Sequence, residues 1–193
     1  MSRQDIADYL IHFTKGINTE DAFFRLQKII SEQTLIGGDG FIKGGYRCVC
    51  FSEAPLSCLS DGLINYSDFS RYSPFGIMVH KAWLYERGGR PVIYQSEDEF
   101  YLLPDELQWK HVLYEPPKVD FSWEREWRIR TDILNFDAQV ATIVVLNEFW
   151  MKRLIIEHEF EQSYRILQYE QIFDSEIAQM YYEPFEWKIV PLT

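Results

Sequence analysis

Apolar residues are concentrated in short segments of the length typical of β-strands, and residues 123–130 also show the strand period of two. Residues 8–13, which read Asp-Tyr-Leu-Ile-His-Phe, are the first segment that we predict to be a strand. Residues 141–146 form a continuous apolar run, a pattern that favours a strand buried on both faces. The other segments that we predict to be strands are 46–51, 76–80, 91–95, 123–130, 164–169 and 187–190.

Helical spacing is confined to fewer segments. We predict that Thr19 begins a helix, because a threonine cap followed by Glu20 and Asp21 complements the helix dipole. Apolar residues then recur at helical spacing to about Gln33. Further helices are predicted over 52–59, 81–86 and 147–158, and within 96–117. Because strands outnumber helices and no regular βαβ repeat occurs, we predict a single α+β domain over residues 1–193, with a split or mixed β-sheet core and a few flanking helices.

Residues 122–130 (SWEREWRIR) carry the densest candidate chemistry. Read as a strand, they place four charged residues on one face: Glu124, Glu126, Arg128 and Arg130. The other face receives Trp123, Arg125, Trp127 and Ile129. Two carboxylates on a rigid strand beside tryptophans can place one acid in a pocket with aromatic walls. An edge strand with a charged outer face would show the same pattern, so both interpretations stay open.

Composition narrows the classes of function. The 193 residues suit one core, and the 17% aromatic content suits either a ligand cleft or a tryptophan-rich core. A net charge of −11 disfavours a protein that coats duplex nucleic acid, but not an enzyme that takes one nucleotide into a local pocket. No apolar run has the length of a membrane helix, and the first residues lack a secretory pattern. We therefore expect a cytoplasmic protein without membrane association.

Cysteines and glycines add no further site. Cys48, Cys50 and Cys58 are an odd number without the spacing of a disulfide framework, and the four histidines are scattered. We expect buried thiols and no metal. The glycines between 37 and 45 lack the GxGxxG and GxxxxGKS patterns, so no phosphate loop is predicted.

Three other segments carry candidate residues. His12 lies near the end of the first predicted strand, and Arg47 lies on the predicted strand 46–51, which leads to Phe51, Ser52 and Glu53. An aromatic turn spans 72–75. Taken singly, each candidate has an ordinary structural explanation: a core histidine, an ion-pair partner for an acid such as Glu53, a helix-capping serine or a core aromatic.

Taken together, these residues resemble the ADP-ribosyltransferase superfamily. His12 in IHFT is similar to the HxT opening of the DNA-targeting ADP-ribosyltransferase toxins of bacterial toxin–antitoxin systems. RCVCFSEAPL (47–56) looks like the second conserved strand of those toxins, and EREW (124–127) looks like their catalytic-glutamate strand. The resemblance covers about residues 10–130 and implies an ADP-ribosyltransferase-like domain. RCVCF, YSPFGI and WEREWRI are also similar to uncharacterised prokaryotic phage-defence proteins.

The resemblance implies a role for each matching residue. Glu126 would stabilise the oxocarbenium-like state formed when the nicotinamide–ribose bond breaks. His12 would hold the NAD ribose, with Thr14 beside it, and Arg47 would pair with the pyrophosphate. Phe51, Ser52, Tyr72 and Phe75 would complete the NAD site, although the aromatic that stacks on nicotinamide stays open among Phe51, Tyr66, Tyr72 and Phe75. Glu124 would activate the acceptor or lie on the surface.

The pattern also departs from the family. Glu124-x-Glu126 imitates the paired acids of the arginine-bearing branch, which usually modifies proteins, whereas His12 belongs to the other branch. No clear Ser-Thr-Ser triplet occurs. The sequence therefore predicts an NAD-dependent ADP-ribosyltransferase, a toxin or phage-defence effector, acting without a metal on a base of single-stranded nucleic acid. A protein acceptor, a neutralising antitoxin partner, a non-catalytic interaction domain on the same fold and a metal-independent nuclease are the alternatives.

Overall fold

A seven-stranded mixed sheet organises the chain, which a computed structural model describes over residues 6–56 and 72–193. Its strand order is β11-β10-β4-β1-β3-β8-β5, and two small two-stranded sheets, β2-β9 and β6-β7, flank it. The strands are β1 (Tyr9–Phe13), β2 (Thr34–Ile36), β3 (Cys48–Ser52), β4 (Gly76–His80), β5 (Arg90–Pro91), β6 (Ile93–Gln95), β7 (His111–Leu113), β8 (Glu126–Arg130), β9 (Ile133–Asn135), β10 (Ala141–Val145) and β11 (Lys188–Pro191). Neighbours in the large sheet are antiparallel except the parallel pair β10–β11. The prediction of one α+β domain is confirmed.

Two long helices accompany the sheet. Helix α1 (Thr19–Glu32) is capped by Asn18 and not by the predicted Thr19, since the Asn18 side chain accepts from the backbone N–H of Asp21. Helix α4 (Glu148–Tyr169) begins in the same way at Asn147. Among the described residues, the shorter α-helices are α2 (Lys81–Glu86), α3 (Glu97–Phe100) and α5 (Ser175–Gln179). No helix in the described part of the chain has both the length and the apolarity to cross a membrane.

The two faces of the sheet differ in what they bury. One face, here called the helix face, packs with α1 and α4 in the main core, which includes Leu10, Phe51 and Trp127. On the other face, Ile11 and Phe13 belong to a smaller cluster that Tyr72 and Leu56 border. We call this the Glu126 face, because Glu126 alternates with the core residue Trp127 and pairs with Ser52 in the β3–β8 register.

Several predicted elements differ from those observed. Residues 164–169, predicted as a strand, form the last turns of α4, where Gln162 and Ile166 are buried. The predicted strand 123–130 begins only at Glu126. Ser52, predicted to begin a helix, ends β3 instead, and residues 57–59 of that predicted helix lie outside the described residues, as do Cys58 and Tyr66. Strands β2, β7 and β9, each three residues long, were not predicted.

Candidate functional site

Glu126 opens strand β8, and Arg128 holds its carboxylate from two residues further along the same face. Nε of Arg128 donates to Oε1 at 2.8 Å, and a second guanidinium nitrogen donates to Oε2 at 3.1 Å. Only 13% of the Glu126 side chain and 5% of the Arg128 side chain are exposed. A two-point contact of this kind fixes the plane and the direction of the carboxylate.

Backbone contacts hold both members of this pair in place. Arg128 donates to the carbonyl oxygens of Trp109, at 2.9 Å, and His111, at 3.0 Å. The hydroxyl of Tyr94 accepts from the backbone N–H of Glu126 at 3.0 Å. Burial is the main cause that raises the pKa of Tyr94 to about 12, so the hydroxyl stays protonated at neutral pH. Glu126 is therefore restrained at its backbone and at its side chain.

A neutral thiol lies against the carboxylate. Cys50 faces Arg128 across the β3–β8 ladder, and its thiol shares a hydrogen bond with Glu126. Burial, followed by the charge of Glu126, raises the pKa of the Cys50 thiol well above its ordinary value. Burial also raises the pKa of Cys48 to about 11. Since the thiolate is the reactive form, neither cysteine is placed as a nucleophile.

Ser52 connects the end of β3 to the segment that precedes β8. Its Oγ donates to the carbonyl of Glu124 at 2.7 Å and accepts from the backbone N–H of Ala54 at 3.1 Å. This segment, Ser122–Glu124, is a 3₁₀ turn rather than the predicted strand, and Arg125 leaves it in the left-handed region at φ 44°. Trp123 and Glu124 therefore do not follow the strand alternation that the sequence suggested.

Aromatic rings border the carboxylate on the Glu126 face. Tyr72 makes edge contacts with Trp123, at 5.9 Å between ring centroids, and with Phe13, at 5.8 Å. Burial is the main cause that raises the pKa of Tyr72, and the charge of Glu124 and a hydrogen bond to it act in the same direction. Trp123 is 39% exposed, so the border is open to solvent at this ring. The predicted proximity of aromatic and acidic side chains is present here, with Tyr72 among the predicted aromatics.

His12 lies on the opposite face of the sheet from Glu126. It pairs with the core residue Ile77 in the β1–β4 register, and its ring meets Phe51 at 5.8 Å. Its Nδ1 is 2.8 Å from the carbonyl oxygen of Cys50, and burial lowers the pKa of the imidazole. The ladder between β1 and β3 consists of a single pair, Ile11 with Ser52, so this side-chain contact helps to join the two strands.

Arg47 lies at the other end of β3 from Ser52. Five residues of extended chain separate the two, or about 16 Å. The guanidinium donates to the carbonyl of Gly37 through Nε, at 3.0 Å, and through a terminal nitrogen, at 2.6 Å. Its ion-pair partner is Asp132, at 3.5 Å, and not Glu53. The structure therefore does not bring Arg47, His12 and Glu126 into one cleft.

Thr14, Phe51 and Phe75 occupy buried positions. Thr14 Oγ1 lies 2.7 Å from Ser73 Oγ and donates to the carbonyl of Phe75 at 3.1 Å, which joins the end of β1 to the start of β4. Phe75 is fully buried and packs against Phe23. These contacts, together with that of the buried Phe51 with His12, explain all three residues as parts of the packed interior. An NAD-binding role for them stays a prediction.

Other polar contacts near the end of the sheet were missed from the sequence. Glu53 accepts from Trp127 Nε1 at 2.7 Å and pairs with Lys81, beside a groove of about 350 Å³ on the helix-face side. The strand alternation placed Arg128 correctly on the same face as Glu126. The opposite charges of these two residues, two positions apart on one strand, were the signal in the sequence that they pair. Tyr94 carried no such signal, because only the fold brings it to Glu126.

No family model, no curated protein and no solved structure matches the chain. The resemblance to ADP-ribosyltransferases therefore stays a prediction from motif residues. Within residues 6–56 and 72–193, no group of three or more histidine, cysteine or acidic side chains is arranged to hold a metal ion.

Proposed function

We propose that this protein is an NAD-dependent ADP-ribosyltransferase whose reactive carboxylate is Glu126. The observation that carries the proposal is the Glu126 face itself. There a mostly buried carboxylate is oriented by Arg128 and acts electrostatically on Tyr72, whose ring contacts the partly exposed Trp123. The motif resemblance of this strand and of β3 supports the same reaction.

The chemistry suits a restrained carboxylate. Breaking the bond between nicotinamide and ribose builds positive charge on the ribose, and a negative group already in place stabilises that charge without reorganisation. Arg128 supplies the restraint, since its guanidinium fixes both carboxylate oxygens and is itself fixed by two carbonyls. Trp123 and Tyr72 offer flat apolar surface on which a nicotinamide or adenine ring would stack.

The remaining predicted residues take supporting roles in this proposal. Ser52 positions the Glu124 turn through its hydrogen bond to the Glu124 carbonyl. Glu124, bonded to Tyr72, would be the second base that activates the acceptor. His12 would act from the opposite face as a positioning residue that joins β1 to β3, not by contact with NAD. Arg47 lies too far along β3 to reach a pyrophosphate held beside Glu126.

A base in single-stranded nucleic acid is the acceptor that we propose. A net charge of −11 opposes a long phosphate-binding groove, so such a base would enter a local pocket after unstacking. A toxin or phage-defence effector that modifies nucleic acid fits the motifs, and a neutralising antitoxin would be its partner. A protein side chain is the alternative acceptor.

Labelled NAD tests the reaction and the acceptor together. The chain is incubated with labelled NAD and separate pools of RNA, DNA and protein, and we expect the label in one nucleic-acid pool. Glu126→Gln should lower the transfer by about 10²–10³-fold, the size of effect that removal of one preorganised stabilising group has in other enzymes. Glu86→Gln, at an exposed acid outside the site, is the matched control and should transfer at the wild-type rate.

A second variant, Trp123→Ala, tests the same site without disturbing the buried ion pair. Glu126→Gln removes the charge that pairs with the buried Arg128, so the variant is checked by near-ultraviolet circular dichroism. Trp123 is partly exposed, and its removal should weaken NAD binding and transfer while leaving the unfolding midpoint nearly unchanged. Full transfer by both variants, or no labelled product with the wild-type chain, would refute the proposal.

The second candidate is a non-catalytic interaction domain on the same fold. Two observations favour it: His12, Arg47 and Glu126 do not converge, and the carboxylate of Glu126 is already bonded within the chain. In that case the aromatic border would bind a protein or peptide. Calorimetry that detects no heat with NAD, together with no labelled product, would favour this candidate over transfer.

A further inference from the structure

Helix α4 carries an apolar stripe that points away from the rest of the molecule. It consists of Phe149, Ile156, Phe160 and Leu167, which are 64%, 65%, 76% and 60% exposed. At 100° per residue these four positions fall within about 40° of one another around the helix. Large apolar side chains exposed in one row on a helix mark an interaction surface more often than isolated ones do.

The other sides of α4 are occupied. Trp150 and Leu154 face the main core. On a third side, Gln162 accepts from the backbone N–H of Glu183, and Arg165 pairs with the side chain of Glu183 at 2.9 Å. The stripe lies on the opposite side of the helix from the contacts with Glu183. Within the described part of the chain, α4 therefore has its core side and its Glu183 side covered and the stripe exposed.

The spacing of the stripe is the same from either end. Successive members are seven, four and seven residues apart. In a two-fold symmetric pair of antiparallel helices, residue i of one copy meets residue j of the other and j meets i. A symmetric spacing satisfies that condition for the whole row at once: Phe149 meets the partner's Leu167, and Ile156 meets the partner's Phe160. Intervals of seven and four also keep a row of side chains on one seam of a helix pair.

We propose that α4 pairs with the antiparallel α4 of a second copy of this chain, with His158 at the level of the two-fold axis. The helix has 22 residues and is therefore about 33 Å long. One helix pair of this length lies at the small end of protein interfaces, below about 1,200 Å² in total. The dimer should therefore form at micromolar concentrations and dissociate on dilution.

Sedimentation velocity of the full chain tests the association. We expect twice the chain mass at high micromolar concentration and the mass of one chain after dilution. Ile156→Glu combined with Phe160→Glu should abolish the larger species, and because both side chains are exposed and glutamate suits a helix, the fold should be unchanged by circular dichroism. Leu102→Glu, an equally exposed apolar residue outside α4, is the control and should dimerise like the wild type.

Cysteine cross-linking tests the orientation. In a mixture of Ile156→Cys and Phe160→Cys chains, antiparallel pairing brings the two new thiols together, and a disulfide-linked dimer should form above the level of the wild-type chain with its native cysteines. Ile156→Cys alone should not cross-link, because two copies of position 156 are offset by about 6 Å along axes that lie about 8–10 Å apart, beyond disulfide reach. A monomeric wild type at high micromolar concentration, or cross-linking of Ile156→Cys alone, would overturn the proposal.

Discussion

At the scale of single residues, His12 shows how burial determines what a side chain does. The imidazole lies on the helix face beside Phe51, and Nδ1 contacts the Cys50 carbonyl. Burial lowers its pKa below the ordinary 6.5, so the folded chain holds the ring neutral at pH values where the unfolded chain protonates it. Below pH 6.5 the unfolded state therefore binds more protons than the folded state, and stability falls as the pH falls.

His12→Gln makes this effect measurable. The variant keeps a donor for the Cys50 carbonyl but does not titrate, so its free energy of unfolding should change less between pH 7 and about pH 5 than that of the wild type. The difference between the two slopes is at most about 1.4 kcal/mol per pH unit. Urea unfolding at a series of pH values measures it.

His80→Asn is the matched control for this change. His80 is exposed and caps α2 through Nδ1, a contact that asparagine can replace. The control should keep the wild-type free energy of unfolding at pH 7, which shows what the loss of an exposed histidine costs by itself. If His12→Gln unfolds with the wild-type dependence on pH, the titration of His12 does not contribute to stability and the placement of its ring in the core is wrong.

At the scale of elements, strand β8 depends on the pair that it carries. Arg128 bonds Glu126 and two backbone carbonyls while almost fully buried. Arg128→Met would leave the carboxylate without its partner and two carbonyls without a donor. We expect a loss of about 3–5 kcal/mol in the free energy of unfolding, measured with urea.

A double substitution measures the coupling free energy between Glu126 and Arg128 apart from the cost of changing each residue alone. Glu126→Gln with Arg128→Met should cost clearly less than the sum of the two single changes, because no unpaired charge remains. Lys152→Met, in an exposed pair with Glu148, is the control and should cost no more than about 1 kcal/mol. Strict additivity of the two β8 substitutions would show that the contact does not couple them.

Elements bounded by strong local signals were predicted well from the sequence. Strand β4 and helix α2 have the predicted limits, since Pro74 precedes one and Gly88 and Gly89 follow the other. The end of α4 was predicted wrongly, because the aromatic and branched residues of 164–169 suggested a strand. In the structure these residues continue the helix, which buries Ile166. Three-residue strands such as β2 have no periodicity to detect, because tertiary pairing alone defines them.

At the scale of the whole molecule, strand register determined which motif residues met. Pairing of β3 with β8 set Ser52 opposite Glu126, so two of the residues predicted for the NAD site meet across this ladder. The same alternation put His12 on the other face, because Ile11, its neighbour, is the residue that pairs with Ser52. The sequence therefore indicated the Glu126 strand and its aromatic neighbourhood, but the relative faces of β1 and β8 depend on long-range pairing that no local pattern encodes.

The charge of the whole molecule predicts how the proposed dimer responds to salt. Each copy carries a net charge of −11, so association brings two acidic chains together against their mutual repulsion. Salt screens that repulsion, since the Debye length falls from about 30 Å at 0.01 M to about 8 Å at 0.15 M ionic strength. The apolar contact between the two α4 stripes needs no opposite charges. The dissociation constant of the dimer, measured by sedimentation equilibrium, should therefore fall several-fold as sodium chloride is raised across this range. Weaker association at higher salt would instead mean that opposite charges hold the copies together, which would contradict a pairing based on Phe149, Ile156, Phe160 and Leu167.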